Sequence, residues 1–109
     1  MNRRRASLDG ATLRQALALA LRDLRTERGF TQLEFGHKIG LSQTAIARFE
    51  TAVQSPTFDD FALLARGLRV SRSELLERVE SAFKALDDAG AREVFAVATR
   101  RARGPRLRQ

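Results

Sequence analysis

The chain has 109 residues, of which 43% are hydrophobic and 30% are charged, enough apolar content for one ordinary folded domain. Its formal net charge of +7 indicates a partner with dense negative charge, either nucleic acid or an anionic membrane. The chain has no cysteine and a single histidine, His37, which excludes a disulfide framework, a thiolate zinc site and a multi-histidine metal site, so we predict no metal and no cofactor.

The positive charge is concentrated at the two ends of the chain. Residues 1–28 contain seven arginines and three acidic residues, and residues 92–109 contain six arginines and one acidic residue. Residues 29–65, in contrast, contain two basic and four acidic residues. We therefore expect the ends to attract an anionic partner in general, while specific recognition in the middle must come from particular side chains.

The first segments are predicted to be a basic N-terminal arm at residues 1–10 and a helix at residues 11–28. The helix carries an apolar stripe with a period of 3.6 residues. Asp9 can cap the start of this helix, and Gly29 can supply the left-handed residue after its end.

No segment is predicted to span a membrane, because no apolar run approaches the roughly 20 residues that a spanning helix needs. Arg14 and Asp23 interrupt the apolar stretch near the N-terminus, which argues against a secretory signal. An arginine-rich transit peptide, or a helix lying on a membrane surface at residues 11–28, is a weaker alternative, because these apolar positions are better used as core.

Two short helices are predicted on either side of Gly40, in a pattern typical of a tight helical corner. Thr31 and Glu34 form a capping box that starts the first helix, and Ser42 is a good N-cap for the second. Gly36 is small where the second helix must cross the first, and Gly40 tolerates the positive φ of the turn. The positions that should be buried are apolar: Phe35, Ile39, Leu41, Ile46 and Phe49.

Further helices are predicted downstream. Thr57 with Asp60 opens a fourth helix, and Ser71 with Glu74 opens a longer fifth helix. The apolar positions of the fourth helix are Phe58, Phe61, Leu64 and Leu68, and those of the fifth are Leu75, Leu76, Val79, Ala82, Phe83 and Leu86. A sixth helix is predicted at residues 91–103.

Residues 32–51, QLEFGHKIGLSQTAIARFET, resemble the helix-turn-helix of the phage repressor/Cro-like DNA-binding proteins, also called the XRE family. The flanking phrases LRDLRTERGFTQ and SPTFDDFALLARGLRVSRSELL match the same family. The resemblance therefore extends from about Leu17 to Leu76, roughly half of the chain.

The resemblance implies an all-α chain with a five-helix, lambda-repressor-like DNA-binding domain and a C-terminal helical extension. We place the DNA-binding domain at residues 11–76 and the extension at residues 77–103. Residues 104–109 then form a flexible basic tail.

The resemblance also implies that the third helix enters the major groove of DNA. Gln32 would hold a phosphate through its side chain or through the N-terminus of its helix. Gln43 suits adenine or a phosphate, Ala47 a thymine methyl group, and Arg48 guanine or the DNA backbone. The predicted DNA-binding residues are Gln32, Ser42, Gln43, Thr44, Ala47 and Arg48. Further phosphate contacts are predicted from the arm residues Arg3, Arg4 and Arg5.

Two other features follow from the same resemblance. Arg25 and Glu50 match a salt bridge that ties the first helix to the third in this family. The chain departs from the family pattern at Ala52 and Arg69, where the family commonly has glycine. A left-handed conformation at such a position would cost about 1 kcal/mol.

The later apolar residues predict an interface. A domain of this family completes its core near Leu76, so the apolar residues beyond it would lack an internal partner and form an exposed patch. Their spacing is that of a coiled-coil seam. The predicted homodimer interface consists of Leu75, Val79, Phe83, Leu86, Val94 and Phe95. Packing within the chain and docking of another protein are the alternatives.

Together these features predict a sequence-specific transcriptional regulator that binds double-stranded DNA. We expect a dimeric repressor in the cytoplasm, associated with the nucleoid when bound, that reads a pseudo-palindromic operator through a recognition helix at residues 43–50. The alternative is an antitoxin whose C-terminal helices bind a protein partner while the helix-turn-helix regulates its own operon. An enzyme is not expected, because the chain has no Ser/His/Asp set, no Gly-rich phosphate loop and no convergent metal-ligand cluster.

Overall fold

A computed structural model describes the backbone of residues 2–88 and the side chains of residues 13–87. This part of the chain forms five α-helices and contains no strand, which confirms the predicted all-α fold. The helices are α1 (Asn2–Glu27), α2 (Gln32–Ile39), α3 (Gln43–Glu50), α4 (Phe58–Leu68) and α5 (Arg72–Asp88). The predicted sixth helix at residues 91–103 and the tail at residues 104–109 lie outside the described residues.

Helix α1 begins earlier than predicted. The sequence predicts a separate arm at residues 1–10, but the backbone is already helical at Asn2 and continues through Asp9 and Gly10. Asp9 is therefore an interior residue and not a cap. A glycine inside a helix costs about 1 kcal/mol, which does not stop a helix whose neighbouring residues favour it. Proline disrupts a helix more strongly than glycine does, and residues 1–28 contain no proline.

The main core joins all five helices. Leu75 of α5 is completely buried in it, so this residue is part of the monomer core and not of the predicted dimer interface. The buried members of this core are Leu21, Leu24, Phe35, Ile46, Phe49, Leu64, Ala65, Leu68 and Leu75. A Cβ atom on Gly67 would collide with the side chain of Ile39, so glycine is needed where α4 crosses α2. No local sequence pattern indicates this requirement, because Ile39 lies far from Gly67 in the chain.

A second apolar cluster packs α1 against α5, and it corrects another part of the predicted interface. Val79 and Leu86 are 6% and 2% exposed, because α1 runs along α5 and covers them. Phe83 is partly buried against the same cluster. The small residues of α1 in this cluster, which allow the two helices to approach closely, are Ala16, Ala18 and Ala20. Val94 and Phe95 lie outside the described residues.

Phe58 and Leu76, which belong to the apolar stripes predicted for the fourth and fifth helices, are exposed, and so is Leu13 of α1. Phe58 is 94% exposed because it is the first residue of α4 and precedes the turn that meets the core. Leu13 and Leu76 are 48% and 50% exposed. None of the described helices is both long enough and apolar enough to span a bilayer.

The end of α4 is fixed by two features. Arg69 caps the helix in the left-handed conformation, with φ at 63°, and the N–H of Val70 donates to the carbonyl oxygen of Ala65. The Nε of Arg28 donates to the carbonyl oxygen of Leu68 at 2.8 Å, which attaches the end of α1 to the end of α4.

Candidate nucleic-acid interface

Helices α2 and α3 form a tight corner. Gly40 ends α2 with φ at 79°, and the N–H of Leu41 donates to the carbonyl oxygen of Gly36 at 2.9 Å. A Cβ atom on Gly36 would collide with the carbonyl oxygen of Leu41, which belongs to the backbone and cannot move aside. The two glycines therefore serve different needs, since Gly40 supplies the turn and Gly36 allows the close approach.

Both helices of the corner start at side-chain caps. The Thr31 hydroxyl accepts from the N–H of Glu34 at 3.0 Å, and the Glu34 carboxylate accepts from the N–H of Thr31 at 2.9 Å. The Ser42 hydroxyl accepts from the N–H of Ala45 at 3.0 Å. These caps fix where each helix begins, and with it the direction in which the first residues of α3 point.

A buried polar network fixes α3 relative to α1. The Nε and Nη2 of Arg25 donate to the two carboxylate oxygens of Glu50 at 2.5 Å and 2.9 Å, in a bidentate pair. The Arg25 side chain is 10% exposed and that of Glu50 is 2% exposed. The Nη1 of Arg25 also donates to the carbonyl oxygen of Phe30 at 2.6 Å. This is the pair that the family resemblance implies, and its two fixed contacts set the orientation of α3.

Gln32 adds α2 to the same network. Its side-chain Nε2 donates to Oε1 of Glu50 at 3.0 Å, so one carboxylate holds residues from both α1 and α2. The predicted phosphate contact through this amide nitrogen therefore competes with a contact inside the protein. Among the backbone N–H groups at the start of α2, that of Glu34 is taken by the Thr31 cap, which leaves those of Gln32 and Leu33 as donors for a phosphate.

The outer face of α3 is polar, and its inner face is apolar. Ile46 and Phe49 are buried in the main core. The exposed outer residues, with the N-cap residue first, are Ser42, Gln43, Thr44 and Arg48. Ala47 lies among them and is partly exposed. Five of the six residues predicted to contact DNA thus lie on one continuous surface, which includes amide, hydroxyl, methyl and guanidinium groups.

The loop after α3 turns sharply at Ala52, whose φ is 62°. The N–H of Ala52 donates to the carbonyl oxygen of Phe49 at 3.3 Å, and that of Val53 donates to the carbonyl oxygen of Arg48 at 3.0 Å. Val53 and Gln54 are exposed next to the end of α3. The N–H of Gln54 also donates to the carbonyl oxygen of Arg48, at 3.3 Å, so this loop lies beside the polar face with three of its amide groups already occupied.

The arm residues Arg3, Arg4 and Arg5 have a described backbone, which is helical, and their side chains lie outside the described part of the chain. Their predicted phosphate contacts would therefore be made from a helix and not from an extended arm.

The comparisons with known proteins agree with this geometry. Residues 21–75 match the model of the helix-turn-helix family. A solved structure of a variant of the restriction-modification controller protein C.Esp1396I is 28% identical, covers 62% of this chain and 87% of that chain, and has a TM-score of 0.59. The clp gene regulator ClgR from Corynebacterium glutamicum is 24% identical, covers 83% and 93% of the two chains, and has a TM-score of 0.65. No protein with a curated description matches the sequence.

Proposed function

The chain belongs to the helix-turn-helix family and is a DNA-binding transcription regulator, and from this premise we propose that it is a dimeric repressor that binds a pseudo-palindromic operator. The observation that carries the proposal is the polar outer face of α3, whose orientation is fixed from beneath by the Arg25–Glu50 pair. A helix that enters the major groove must present such a face in one defined direction.

The side chains of this face suit different parts of the DNA. Gln43 can make two hydrogen bonds to adenine, Arg48 can make two to guanine, and Ala47 can contact a thymine methyl group. Thr44 offers a hydroxyl that is suited to a base edge or a phosphate. Ser42 uses its hydroxyl oxygen to cap α3, and its O–H remains available as a donor to a phosphate.

Gln32 lies at the start of α2, on the flank of this face. Its Nε2 has two hydrogens, and one of them is used by Glu50. We infer that a phosphate at this point binds chiefly to the backbone N–H groups that begin α2, with the second hydrogen of the amide as a supporting donor.

The distribution of charge along the chain supports a separation between base recognition and general attraction to DNA. The residues that would read bases lie in the segment with more acidic than basic groups, whereas seven arginines lie in residues 1–28 and six in residues 92–109. Those ends would supply attraction that depends on salt, because they displace counterions from phosphates. In a bacterial cell this activity places the protein in the cytoplasm, on the nucleoid.

Selection of bound sites from a pool of random DNA tests the proposal. We expect enrichment of a motif with two-fold symmetry, whose half-sites are about one helical turn apart, roughly 10 base pairs from centre to centre. The double variant Gln43→Ala with Arg48→Ala should lose this enrichment, whereas Glu80→Ala, an exposed change on α5, should keep it. Enrichment of no motif by the unmodified chain would contradict the proposal.

A reporter gene separates repression from activation. With the selected site placed across a promoter, expression of the protein should lower transcription, and the double variant should not. A rise in transcription would show an activator and would contradict the repressor part of the proposal alone.

A further inference from the structure

A groove runs along the outer face of α4 to the start of α5. It has a volume of about 660 Å³, which lies within the range typical of small-molecule sites. Four of its lining residues on α4 are spaced as i, i+3, i+4 and i+7, so they share one face of that helix. The apolar lining includes Ala62, Leu63 and Val70, and the polar lining residues are Asp59, Arg66, Ser71 and Arg72.

Arg66 and Arg72 bring two guanidinium groups to one end of this groove from different helices. Both residues are exposed, and among the described residues neither side chain has an ion-pair or hydrogen-bond partner. Arg25 and Arg78, in contrast, each pair with a glutamate. Because two cations that line one groove repel each other, an anion placed between them would be attracted by both and would relieve that repulsion.

The donors at this end suit a phosphate better than a carboxylate. Each guanidinium presents several N–H groups in one plane. The Ser71 oxygen accepts from the N–H of Glu74 at 2.9 Å, so its O–H remains available as a donor. The Glu74 carboxylate accepts from the N–H of Ser71 at 2.9 Å and is thus engaged in the cap of α5. Three separate donor groups match the three terminal oxygens of a phosphate monoester, whereas a carboxylate offers only two.

Asp59 lies at the opposite end of the groove. It is exposed in the first turn of α4, and the seven residues from Asp59 to Arg66 span about 10 Å of helix. An ionised carboxylate can only accept hydrogen bonds, so this end favours an amine or a hydroxyl group. The groove therefore has opposite charges at its two ends and an apolar middle.

We propose that this groove binds a phosphate monoester of the size of a nucleoside monophosphate. The phosphate lies between Arg66 and Arg72, the body of the ligand lies on Leu63 and Val70, and a hydrogen-bond donor at its other end contacts Asp59. The inference goes beyond the proposed function and does not depend on it, because the ligand is bound by α4 and α5 and not by α3.

The DNA backbone is the other source of phosphate for these arginines, and the fold argues against it. The loop after α3, which lies beside the polar face, leads directly into the start of α4. Arg66 stands eight residues after Phe58, about 12 Å further along the helix. The phosphate-binding end of the groove is thus the end remote from that loop.

Isothermal titration calorimetry of the full chain with adenosine 5′-monophosphate (AMP) tests the site. We expect AMP to bind, and adenosine, which lacks the phosphate, to bind at least about tenfold more weakly. Arg66→Ala and Arg72→Ala should each raise the Kd for AMP by about tenfold. The matched control is Lys84→Ala, which removes one exposed cation from α5 outside the groove and should change the Kd by less than about twofold. Thermal unfolding without ligand checks that each variant is folded.

Asp59→Ala tests the opposite end of the groove. It should raise the Kd for AMP several-fold, because it removes the acceptor for the far end of the ligand. It should not weaken the binding of inorganic phosphate, measured by displacement of AMP, since phosphate alone does not reach Asp59. The two arginine variants should weaken both ligands, so the two ends of the groove can be told apart.

Several outcomes would overturn the inference. One is the absence of AMP binding at concentrations of about 1 mM, which corresponds to about 4 kcal/mol. Others are equal affinities for AMP and adenosine, or an equal loss of affinity in Lys84→Ala. A double variant, Arg66→Ala with Arg72→Ala, that binds the selected DNA more weakly without any nucleotide would assign these arginines to the DNA backbone instead. A chain that binds AMP with the expected sensitivities but selects no DNA motif would keep this inference and contradict the proposed function.

Discussion

Helix α1 is joined to α3 by a buried ion pair and to α5 by an exposed one, and the two junctions differ in what they contribute. The side chains of Arg25 and Glu50 are 10% and 2% exposed, and four polar contacts converge on them. Arg78 and Glu27 also approach to 2.8 Å, but their side chains are 43% and 50% exposed. Water competes for the exposed pair, whereas the buried pair has only its protein partners.

The surroundings of the two junctions differ accordingly. Around the buried pair, α2 and α3 meet at a glycine and start at side-chain caps, so directional bonds define their positions. Apart from the exposed Glu27–Arg78 pair, the contact between α1 and α5 is apolar, and three buried alanines of α1 pack there with Val79 and Leu86 of α5. The half of the domain formed by α2 and α3, which carries the proposed DNA-contacting face, is thus oriented by polar contacts, and the half formed by the packing of α1 on α5 is held by apolar burial.

Removing the buried carboxylate gives the largest expected effect. Glu50→Ala leaves the guanidinium of Arg25 buried without its partner, and we expect a loss of about 3–5 kcal/mol in the free energy of unfolding. Glu27→Ala, the matched change at the exposed pair, should cost less than about 1 kcal/mol. Denaturant titration of both variants measures the difference. Similar losses for the two would show that burial does not separate the junctions.

The apolar half can be tested at Leu86, which is 2% exposed. Leu86→Ala should cost about 2–5 kcal/mol, because it removes buried methyl groups and leaves a cavity next to α1. Leu76→Ala, at a half-exposed position on the same helix, should change the unfolding free energy of the monomer by about 0.5 kcal/mol or less. A small loss at Leu86 would mean that α1 does not cover the end of α5, and the predicted dimer interface would then regain this residue.

DNA-binding measurements test whether the polar face of α3 reads bases, independently of the stability of the fold. Arg48→Ala should weaken binding to the selected operator by about 1–3 kcal/mol if the guanidinium reads a base. Arg72→Ala removes the same charge from the exposed start of α5 and should have little effect on the preference for the operator. Binding titrations on the operator and on random DNA measure both. An equal loss on the two DNAs would identify Arg48 as a phosphate contact.

The sequence allowed the polar half to be predicted in detail, because its determinants are local. Caps at Thr31 and Ser42, and the glycines at positions 36 and 40, act within a few residues of where they stand. The same holds for the caps of α4 and α5. A pattern of three or four residues carries this information even when nothing is known about the rest of the chain.

The apolar half was predicted less well, because its determinants lie far apart in the chain. Whether Val79 faces solvent or core depends on how α1 packs against α5, and no residue of α5 records that packing. Phe58 and Phe61 fit the same apolar stripe, but only the second lies where another helix covers it. Gly67 gave no signal because its close neighbour is Ile39 on α2. Helical periodicity indicates which residues share a face, and tertiary packing decides whether that face is buried.

The smallest expected effects concern the two residues that adopt positive φ in place of glycine. Ala52 and Arg69 have φ values of 62° and 63°. A side chain in this conformation costs about 1–2 kcal/mol, which replacement by glycine would remove. Part of this stabilisation is lost again, because glycine loses more backbone freedom on folding. Ala52→Gly and Arg69→Gly should therefore each stabilise the protein by up to about 1 kcal/mol. Ala62→Gly, inside α4, should destabilise it by about 1 kcal/mol, so the sign of the change in the unfolding free energy tests the backbone assignment. A loss of stability in Ala52→Gly would show that the sharp turn after α3 does not strain that residue.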